Sequence, residues 1–186
     1  MENNEQKVIH SSFWANLFKS PTEKNDLETY LKEMPFFKKL NRKDISLIIN
    51  LMHNRSYITG EHIFVQGDPG IGLYIIREGE VVIKRSGEDK IVHLANFGAG
   101  DFFGELALID GEKRSASCIA KTDCRLAVIF KPDLDEFIEK YPRKGLSILR
   151  GINDILAIRL RKVNEDYFSL QSKAKITTES EYGIQY

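Results

Sequence analysis

Residues 103–117 read Phe-Gly-Glu-Leu-Ala-Leu-Ile-Asp-Gly-Glu-Lys-Arg-Ser-Ala-Ser, and this stretch is the most informative part of the chain. Gly104 and Glu105 open a short helix-forming run, and Arg114 follows after a turn. The first backbone N–H groups of a helix lack intrahelical partners and attract anions, and a glycine there lets a ligand approach the backbone. Arginine offers a forked, permanently charged donor to a phosphate, and a carboxylate accepts hydrogen bonds from sugar hydroxyls. The pattern therefore predicts a pocket for one phosphate joined to one sugar.

The motif FGELAL…RSAS closely resembles the phosphate-binding cassette of cyclic nucleotide-binding domains, the family that includes bacterial catabolite activator proteins and kinase regulatory subunits. Three upstream segments extend the resemblance. Residues 60–70 are similar to an early strand and turn, residues 73–81 to the next strand pair, and residues 98–103 to the entry into the cassette. The similarity covers roughly residues 35–165. Its glycine spacing makes it far more specific than a single glycine-rich loop.

The resemblance implies roles for individual residues of the cassette. Arg114 matches the arginine that binds the exocyclic oxygens of the cyclic phosphate, and Glu105 matches the glutamate that accepts the ribose 2′-hydroxyl. Outside such a motif, Arg114 would be interpreted as a surface partner of Glu112 or Asp110, and Glu105 as a carboxylate that complements a helix N-terminus. The other cassette positions are expected to supply backbone groups, shape or a hydroxyl; they are Gly104, Leu106, Ala107, Ser115 and Ala116.

The residue after the arginine bears on which cyclic nucleotide binds. In the family, a serine at the position of Ser115 donates to the phosphate, and a hydroxyl there also reaches a guanine base. Ser115 is therefore consistent with cyclic AMP (cAMP), the ligand that we expect, and leaves cyclic GMP (cGMP) as the alternative. Lys113 stands where the family often has proline, a departure that changes the stiffness of the loop and adds a cation near the phosphate.

The base of the nucleotide is expected to be covered by the C-terminal helix. By position relative to residues 159–160, Val163 and Asn164 fall where bacterial activators place hydroxyl residues that contact adenine, and neither is a hydroxyl residue here. The amide of Asn164 can hydrogen-bond a base edge, so Asn164 belongs to the predicted site. The alternative is that Tyr167 or Phe168 stacks on the base as a lid.

The pattern of apolar residues predicts an α+β domain, a jelly-roll of about eight strands flanked by N-terminal helices and a long C-terminal helix. One helix is predicted from about residue 22 to Met34 and a second over residues 42–54. Short β runs separated by glycine-containing turns follow, and the cassette helix interrupts them between Phe103 and Ile109. The predicted strand cores are Ile58 and residues 63–65, 73–76, 81–83, 91–94, 117–120 and 126–130.

Two helices are predicted after the strands. Pro132 opens the first, and the second runs from Pro142 to about Gln171. Related proteins commonly dimerise through this long helix, so we expect a homodimer, with packing of the helix on its own roll as the alternative. The apolar stripe that favours this interpretation comprises Leu149, Ile152, Leu156, Leu160, Val163, Tyr167 and Leu170.

The domain is predicted to span residues 23–171, between two less structured ends. Residues 1–22 are predicted to form a flexible segment with a short amphipathic helix at residues 12–18, which would either pack on its own domain or dock on a partner protein or a membrane surface. Residues 172–186 are expected to be a disordered tail. This tail is too short for the helix-turn-helix of the bacterial activators, so a nucleic-acid partner is not expected.

Composition is that of an ordinary globular chain. The 186 residues are 42% hydrophobic and 29% charged, and the formal net charge is zero, which gives no sign of a basic face for nucleic acid or for an anionic membrane. No apolar run approaches the length of a membrane span, and the N-terminus is too polar for a signal peptide. The expected location is therefore the cytoplasm.

The reactive side chains form no catalytic pattern, so we expect neither an enzyme nor a bound metal or cofactor. A metal-dependent cupin would need clustered histidines, whereas His10, His53, His62 and His93 are scattered. Cys118 and Cys124 flank a hairpin predicted at residues 120–123. Two reduced thiols packed near the core are favoured over a cross-strand disulfide.

These features predict a cyclic nucleotide sensor. In this hypothesis the ligand orders the cassette, the helices after Phe130 close over the base, and the movement alters a surface that a protein partner recognises. The alternative is an interaction module that has the same fold and needs no ligand. The joint presence of Gly104, Glu105 and Arg114 argues against that alternative.

Overall fold

The computed structural model describes residues 27–87 and 90–182, with side chains described as far as Ser172. The helix predicted at residues 12–18 and the first residues of the helix predicted from residue 22 lie outside this range. Helices α1 (Leu27–Glu33) and α2 (Arg42–Asn50) precede the strands, and α3 (Lys131–Lys140) and α4 (Pro142–Tyr182) follow them. The strands are β1 (His53–Tyr57), β2 (His62–Phe64), β3 (Gly72–Glu78), β4 (Glu80–Ser86), β5 (Ile91–Gly98), β6 (Phe102–Phe103), β7 (Ser117–Ala120) and β8 (Cys124–Phe130), with a 3-10 helix (Glu105–Leu108) between β6 and β7.

The strands form two four-stranded antiparallel sheets, in the orders β1-β8-β3-β6 and β2-β7-β4-β5. In the first sheet Ile75 of β3 lies opposite Ala127 of β8, and in the second Val82 of β4 lies opposite Ile119 of β7. This arrangement confirms the predicted jelly-roll of about eight strands. The predicted hairpin at residues 120–123 is wrong, because β7 and β8 belong to different sheets and the chain crosses between them there.

Cys118 and Cys124 are free thiols in the apolar core of the roll. Both side chains are buried, and burial raises the pKa of each thiol because the thiolate would lose its hydration. The prediction of two reduced, packed cysteines is therefore confirmed.

A second apolar core joins the helices to the first sheet and to the cassette. Each helix contributes residues spaced by three or four positions, which is the spacing of one helical face. Because Leu108 of the 3-10 helix and Phe102 of β6 belong to the same core as α4, the cassette and the long helix pack on common neighbours. The buried helical residues include Leu31, Ile45, Ile48, Leu134, Phe137, Ile148, Ile152 and Ile155.

The boundary between α2 and β1 differs from the prediction. The helix ends at Asn50 rather than near residue 54, and residues His53–Tyr57 form β1, a strand that the sequence did not predict. The strand lies at the edge of its sheet, pairs only with β8, and has four exposed residues out of five. Its sequence, HNRSY, is therefore polar and lacks the apolar alternation that identifies a strand. Ile58, predicted as a strand core, lies outside any strand and is 70% exposed.

The long helix α4 continues past its predicted end near Gln171 and reaches Tyr182. Residues 172–182 of the predicted disordered tail are therefore helical, and residues 183–186 lie outside the described range. Neither glycine nor proline occurs between residues 152 and 182, and Gly183 follows. Within the described residues, no helix is both long and apolar enough to cross a membrane.

Candidate functional site

Gly104 connects β6 to the 3-10 helix in a backbone conformation that favours glycine. Its φ is +79°, in the left-handed region. A Cβ at this position would stand 2.7 Å from Nη1 of Arg114 and 3.0 Å from the Gly72 carbonyl oxygen. The glycine is required both for the turn and for the close approach of the arginine.

Arg114 lies at the bottom of the site and is only 7% exposed. Its Nη2 donates to the Gly72 carbonyl at 2.9 Å and its Nη1 to the Gly104 carbonyl at 3.3 Å. The guanidinium lies 4.2 Å from the ring centroid of Phe64 and 5.5 Å from that of Tyr74, which are cation–π distances. The surface ion pair with Glu112 or Asp110 is therefore not the arrangement in this structure.

The electrostatics of Arg114 are those of a buried cation. Burial lowers the pKa of the guanidinium, and the neighbouring Tyr74 partly opposes this effect. Within the described part of the chain, Nε of Arg114 has no hydrogen-bond partner. Such an unsatisfied buried donor is unusual in a folded protein.

The backbone of Arg114 is fixed by the loop between β2 and β3. Its N–H donates to the Asp68 carbonyl at 2.8 Å, and its carbonyl accepts from Gly67 at 2.9 Å. Farther along the cassette, the hydroxyl of Ser117 accepts from the Gln66 N–H at 2.9 Å. The backbone that carries the Arg114 side chain is therefore fixed by contacts between two segments that are distant in sequence, residues 66–68 and 114–117.

Glu105 is the first residue of the 3-10 helix and is 2% exposed. Its Oε1 forms an ion pair with Nη1 of Arg159, a residue of α4. The Arg159 guanidinium also lies 5.7 Å from the ring centroid of Phe102. Burial lowers the pKa of Arg159 to about 10, so the guanidinium is still charged at neutral pH. A buried, charge-paired carboxylate thus connects the cassette to the long helix.

These residues surround a cavity of about 390 Å³, a size typical of small-molecule sites. One wall is apolar and comes from the roll, with Phe64, Ile83, Ala95, Phe97 and Phe103. The rest of the lining comes from the cassette and α4, and it includes all the charged residues and the serine of the cavity together with glycine and apolar residues. It consists of Gly104, Glu105, Leu106, Ala107, Asp110, Glu112, Lys113, Arg114, Ser115, Ala116 and Arg159.

Seven of the eight predicted site residues line this cavity, and Asn164 is the exception. Asn164 is exposed on α4 beyond the point where the helix leaves the roll, so it does not reach the cavity in this structure. The residue of α4 that lines the cavity is Arg159, which the sequence analysis did not include in the site. The sequence did contain a signal for Arg159, because this residue follows the buried positions Ile152 and Ile155 at the spacing of one helical face.

Comparison with known proteins agrees with this geometry. A family model described as "Cyclic nucleotide-binding domain" matches residues 54–141. The Cyclic AMP receptor protein of Thermus thermophilus is 33% identical over 137 residues, which are 72% of this chain and 61% of that protein. A cAMP-dependent protein kinase regulatory subunit from Neurospora crassa is 36% identical over 104 residues, which are 56% of this chain and 26% of that protein.

A solved structure provides a comparison of the fold itself. The crystal structure of a cyclic nucleotide-binding domain from Methylobacillus flagellatus is 25% identical in sequence and superposes with a TM-score of 0.69. The match covers 78% of this chain and 84% of that one. By contrast, this chain spans less than two thirds of the length of either curated relative.

Proposed function

Because the chain belongs to the cyclic nucleotide-binding domain family, we propose that it is a sensor in which the cavity beside Arg114 binds a cyclic nucleotide, preferably cAMP. The observation that carries this proposal is the placement of Arg114 and Glu105 around one cavity, with the backbone of the 3-10 helix between them. Arg114 would bind the phosphate and Glu105 the ribose 2′-hydroxyl. The apolar wall of Ile83, Ala95 and Phe97 would accommodate the base.

The presence of the Arg114 guanidinium in the cavity lining supports the phosphate assignment. A phosphate has several acceptor oxygens, and arginine is suited to bind two of them at once. The two carbonyls that Arg114 already contacts hold the guanidinium in place, so its ordering is not an added cost of binding. Lys113 lies on the rim of the same cavity and would add to the attraction of an anion.

The direct test is calorimetric titration of cAMP and cGMP into the full chain. We expect binding with a dissociation constant in the micromolar range or tighter, and a lower value for cAMP than for cGMP. Ser115 supplies the one cassette hydroxyl beside the cavity that would favour guanine, so a reversed order would assign the chain as a cGMP sensor. If neither nucleotide binds, the ligand-independent interaction module replaces the proposal.

We also propose that the chain forms a homodimer through the distal part of α4. Leu156, Val163 and Leu170 recur every seven residues, and Leu160 and Tyr167 fall between them with the same period. This alternation of three and four is the heptad seam of a two-stranded coiled coil. The seam residues beyond Leu156 are 59–63% exposed, so the roll of the same chain does not cover them.

Leu160→Glu is expected to weaken dimerisation by about thirtyfold or more. Truncating a leucine that is buried in the dimer costs about 2 kcal/mol or more, and a buried charge adds to the cost. Sedimentation analysis of the full chain over a concentration series would measure the effect. Phe168→Glu is the matched control, because Phe168 is 74% exposed and lies off the seam. Equal sedimentation of both variants and the native chain as monomers would contradict the dimer.

The same runs with saturating cAMP test the proposed movement of the helices after Phe130. Since α4 projects from the roll, a change in its angle would alter the frictional properties of the whole chain. We therefore expect the sedimentation coefficient to change with ligand. An unchanged coefficient in the Leu160→Glu variant, where dimerisation does not interfere, would contradict a large movement and with it a signal passed to a protein partner.

A further inference from the structure

Two short stretches of the chain concentrate its positive charge. Residues 38–44 and 140–150 together contain eight of the 27 lysines and arginines but only one of the 27 acidic residues, Asp44. The two stretches therefore carry a formal charge of +7, and the rest of the chain, with 19 basic and 26 acidic residues, carries −7. The net charge of zero hides this separation, so composition alone gave no sign of a basic face.

The fold brings the two stretches together side by side. At one end Gly151 packs against residues 35–36, where an added Cβ would stand 2.3 Å from Cα of Phe36. At the other end the carboxylate of Asp44 forms an ion pair with Nζ of Lys144. Seven of the eight basic residues are exposed, and the eighth is Lys144. The lysines and arginines of residues 38–43 and 140–150 thus form one basic surface.

The first turns of two helices add to the positive potential of the basic surface. A helix N-terminus carries a partial positive charge and favours acidic side chains. Arg42 and Lys43 are nevertheless the first two residues of α2, and Arg143 and Lys144 lie in the first turn of α4. The acidic residue in these two turns is Asp44. Cations in such places work against helix stability, and departures of this kind are expected at functional surfaces.

The chain before α1 enters the described domain beside the basic surface. Glu28, in the first turn of α1, pairs with Arg42, and its Oε1 lies 3.1 Å from Nε of the arginine. Residues 19–26 separate α1 from residues 12–18, the predicted amphipathic helix, and eight residues span at most about 30 Å. The aromatic side chains of that segment can therefore reach whatever the basic surface binds.

We propose that this face of the protein binds an anionic membrane surface. The basic surface contacts the lipid headgroups, and Phe13, Trp14, Leu17 and Phe18 enter the boundary between headgroups and acyl chains. Binding of this kind combines apolar burial with electrostatic attraction, and each basic side chain near an anionic leaflet adds to it. A nucleic acid or an acidic protein segment would account only for the charges. The inference is independent of the proposed function, because no residue of the basic surface lines the cavity.

Trp14 is the only tryptophan of the chain, so its fluorescence reports directly on the aromatic segment. The test mixes the full chain with vesicles of phosphatidylcholine alone and with vesicles of phosphatidylcholine and phosphatidylserine. We expect binding to the vesicles that contain phosphatidylserine, and weaker binding as salt is added because salt screens the attraction. Trp14 emission should move to shorter wavelength on binding, and brominated lipid should quench it.

Paired substitutions locate the binding on the molecule. Lys43→Ala combined with Arg143→Ala should weaken binding to phosphatidylserine vesicles about thirtyfold, as expected for two cations near an anionic surface. Arg85→Ala combined with Lys90→Ala is the matched control, because it removes two exposed cations outside the basic surface and should leave binding unchanged.

Several results would overturn the proposal. One is failure to bind either kind of vesicle, and another is binding that leaves the emission of Trp14 unchanged. Equal weakening by the two paired variants would assign the effect to overall charge. If polyglutamate or duplex DNA binds through Lys43 and Arg143 and the vesicles do not, the basic surface recognises an acidic protein or a nucleic acid instead.

Discussion

Arg114→Leu is expected to weaken cAMP binding about 100-fold or more. The proposed phosphate contacts are two hydrogen bonds from a guanidinium to an anion, and each such bond contributes about 1.5–3 kcal/mol. Since about 1.4 kcal/mol corresponds to a factor of ten, losing both predicts a change of roughly 10²–10⁴ in affinity. Leucine also removes the cation that would neutralise the phosphate directly. Titration calorimetry at constant ionic strength measures the difference.

Two further variants show whether the effect belongs to the phosphate contact. Arg114→Lys keeps a positive charge but loses the forked N–H donors of the guanidinium. It should therefore bind cAMP more weakly than the native chain and more tightly than Arg114→Leu. Arg85→Leu removes an exposed arginine from β4 and should bind like the native chain. If Arg85→Leu weakens binding as much as Arg114→Leu does, the loss reflects overall charge and the phosphate assignment is wrong.

The stability of Arg114→Leu must be measured alongside its affinity. In the structure the guanidinium satisfies the carbonyls of Gly72 and Gly104, so its removal leaves two acceptors to be solvated or lost. An unsatisfied buried group costs about 1–3 kcal/mol. Thermal unfolding without ligand gives this cost directly. If the affinity stays low at temperatures where the variant is fully folded, the loss of binding is due to the missing phosphate contact and not to unfolding.

The β-roll was predictable because its strands carry local signals. The apolar run at residues 73–76 lies between Gly72 and Gly79, and the one at residues 126–130 ends just before Pro132. The sheets contain strands at both positions. The two strands that were missed have no such signal. β1 is polar and mostly exposed, and β6 has only two residues, so both are defined by their pairing with β8 and β3. Pairing between distant segments is not a property of a local window.

The residues of the site also fall into two groups, those that a local motif predicts and those that depend on contacts between distant segments. Residues 104–107 and 114–116 belong to one continuous motif, and the structure brings them to one cavity. Ile83, Ala95 and Phe97 line the cavity because of the faces that β4 and β5 turn inward. Arg159 lines it because of the way in which α4 crosses the roll. Asn164 was selected by its distance along the chain from the motif. That distance does not determine where the helix departs from the roll, and Asn164 lies beyond this point.

The packing of α4 on the N-terminal segment depends on one glycine. Gly151 lies in the buried part of the helix, against residues 35–36 that follow α1. A Cβ added there would stand 2.3 Å from Cα of Phe36, 2.7 Å from the Pro35 carbonyl oxygen and 2.9 Å from the Phe36 nitrogen. All three atoms are backbone, so a rotamer change cannot relieve the contact and one segment must move.

Gly151→Ala is therefore expected to destabilise the chain by about 1–3 kcal/mol, even though alanine is the better helix former by roughly 1 kcal/mol. For a domain of this size that corresponds to a fall in Tm of roughly 2–12 °C. The matched control is Gly98→Ala, because a Cβ there meets no atom within 4 Å. Thermal unfolding of both variants and of the native chain measures these differences in stability. A Gly151→Ala variant at least as stable as the native chain would mean that α4 does not approach residues 35–36 this closely, and the register that brings Arg159 to Glu105 would then have to be reconsidered.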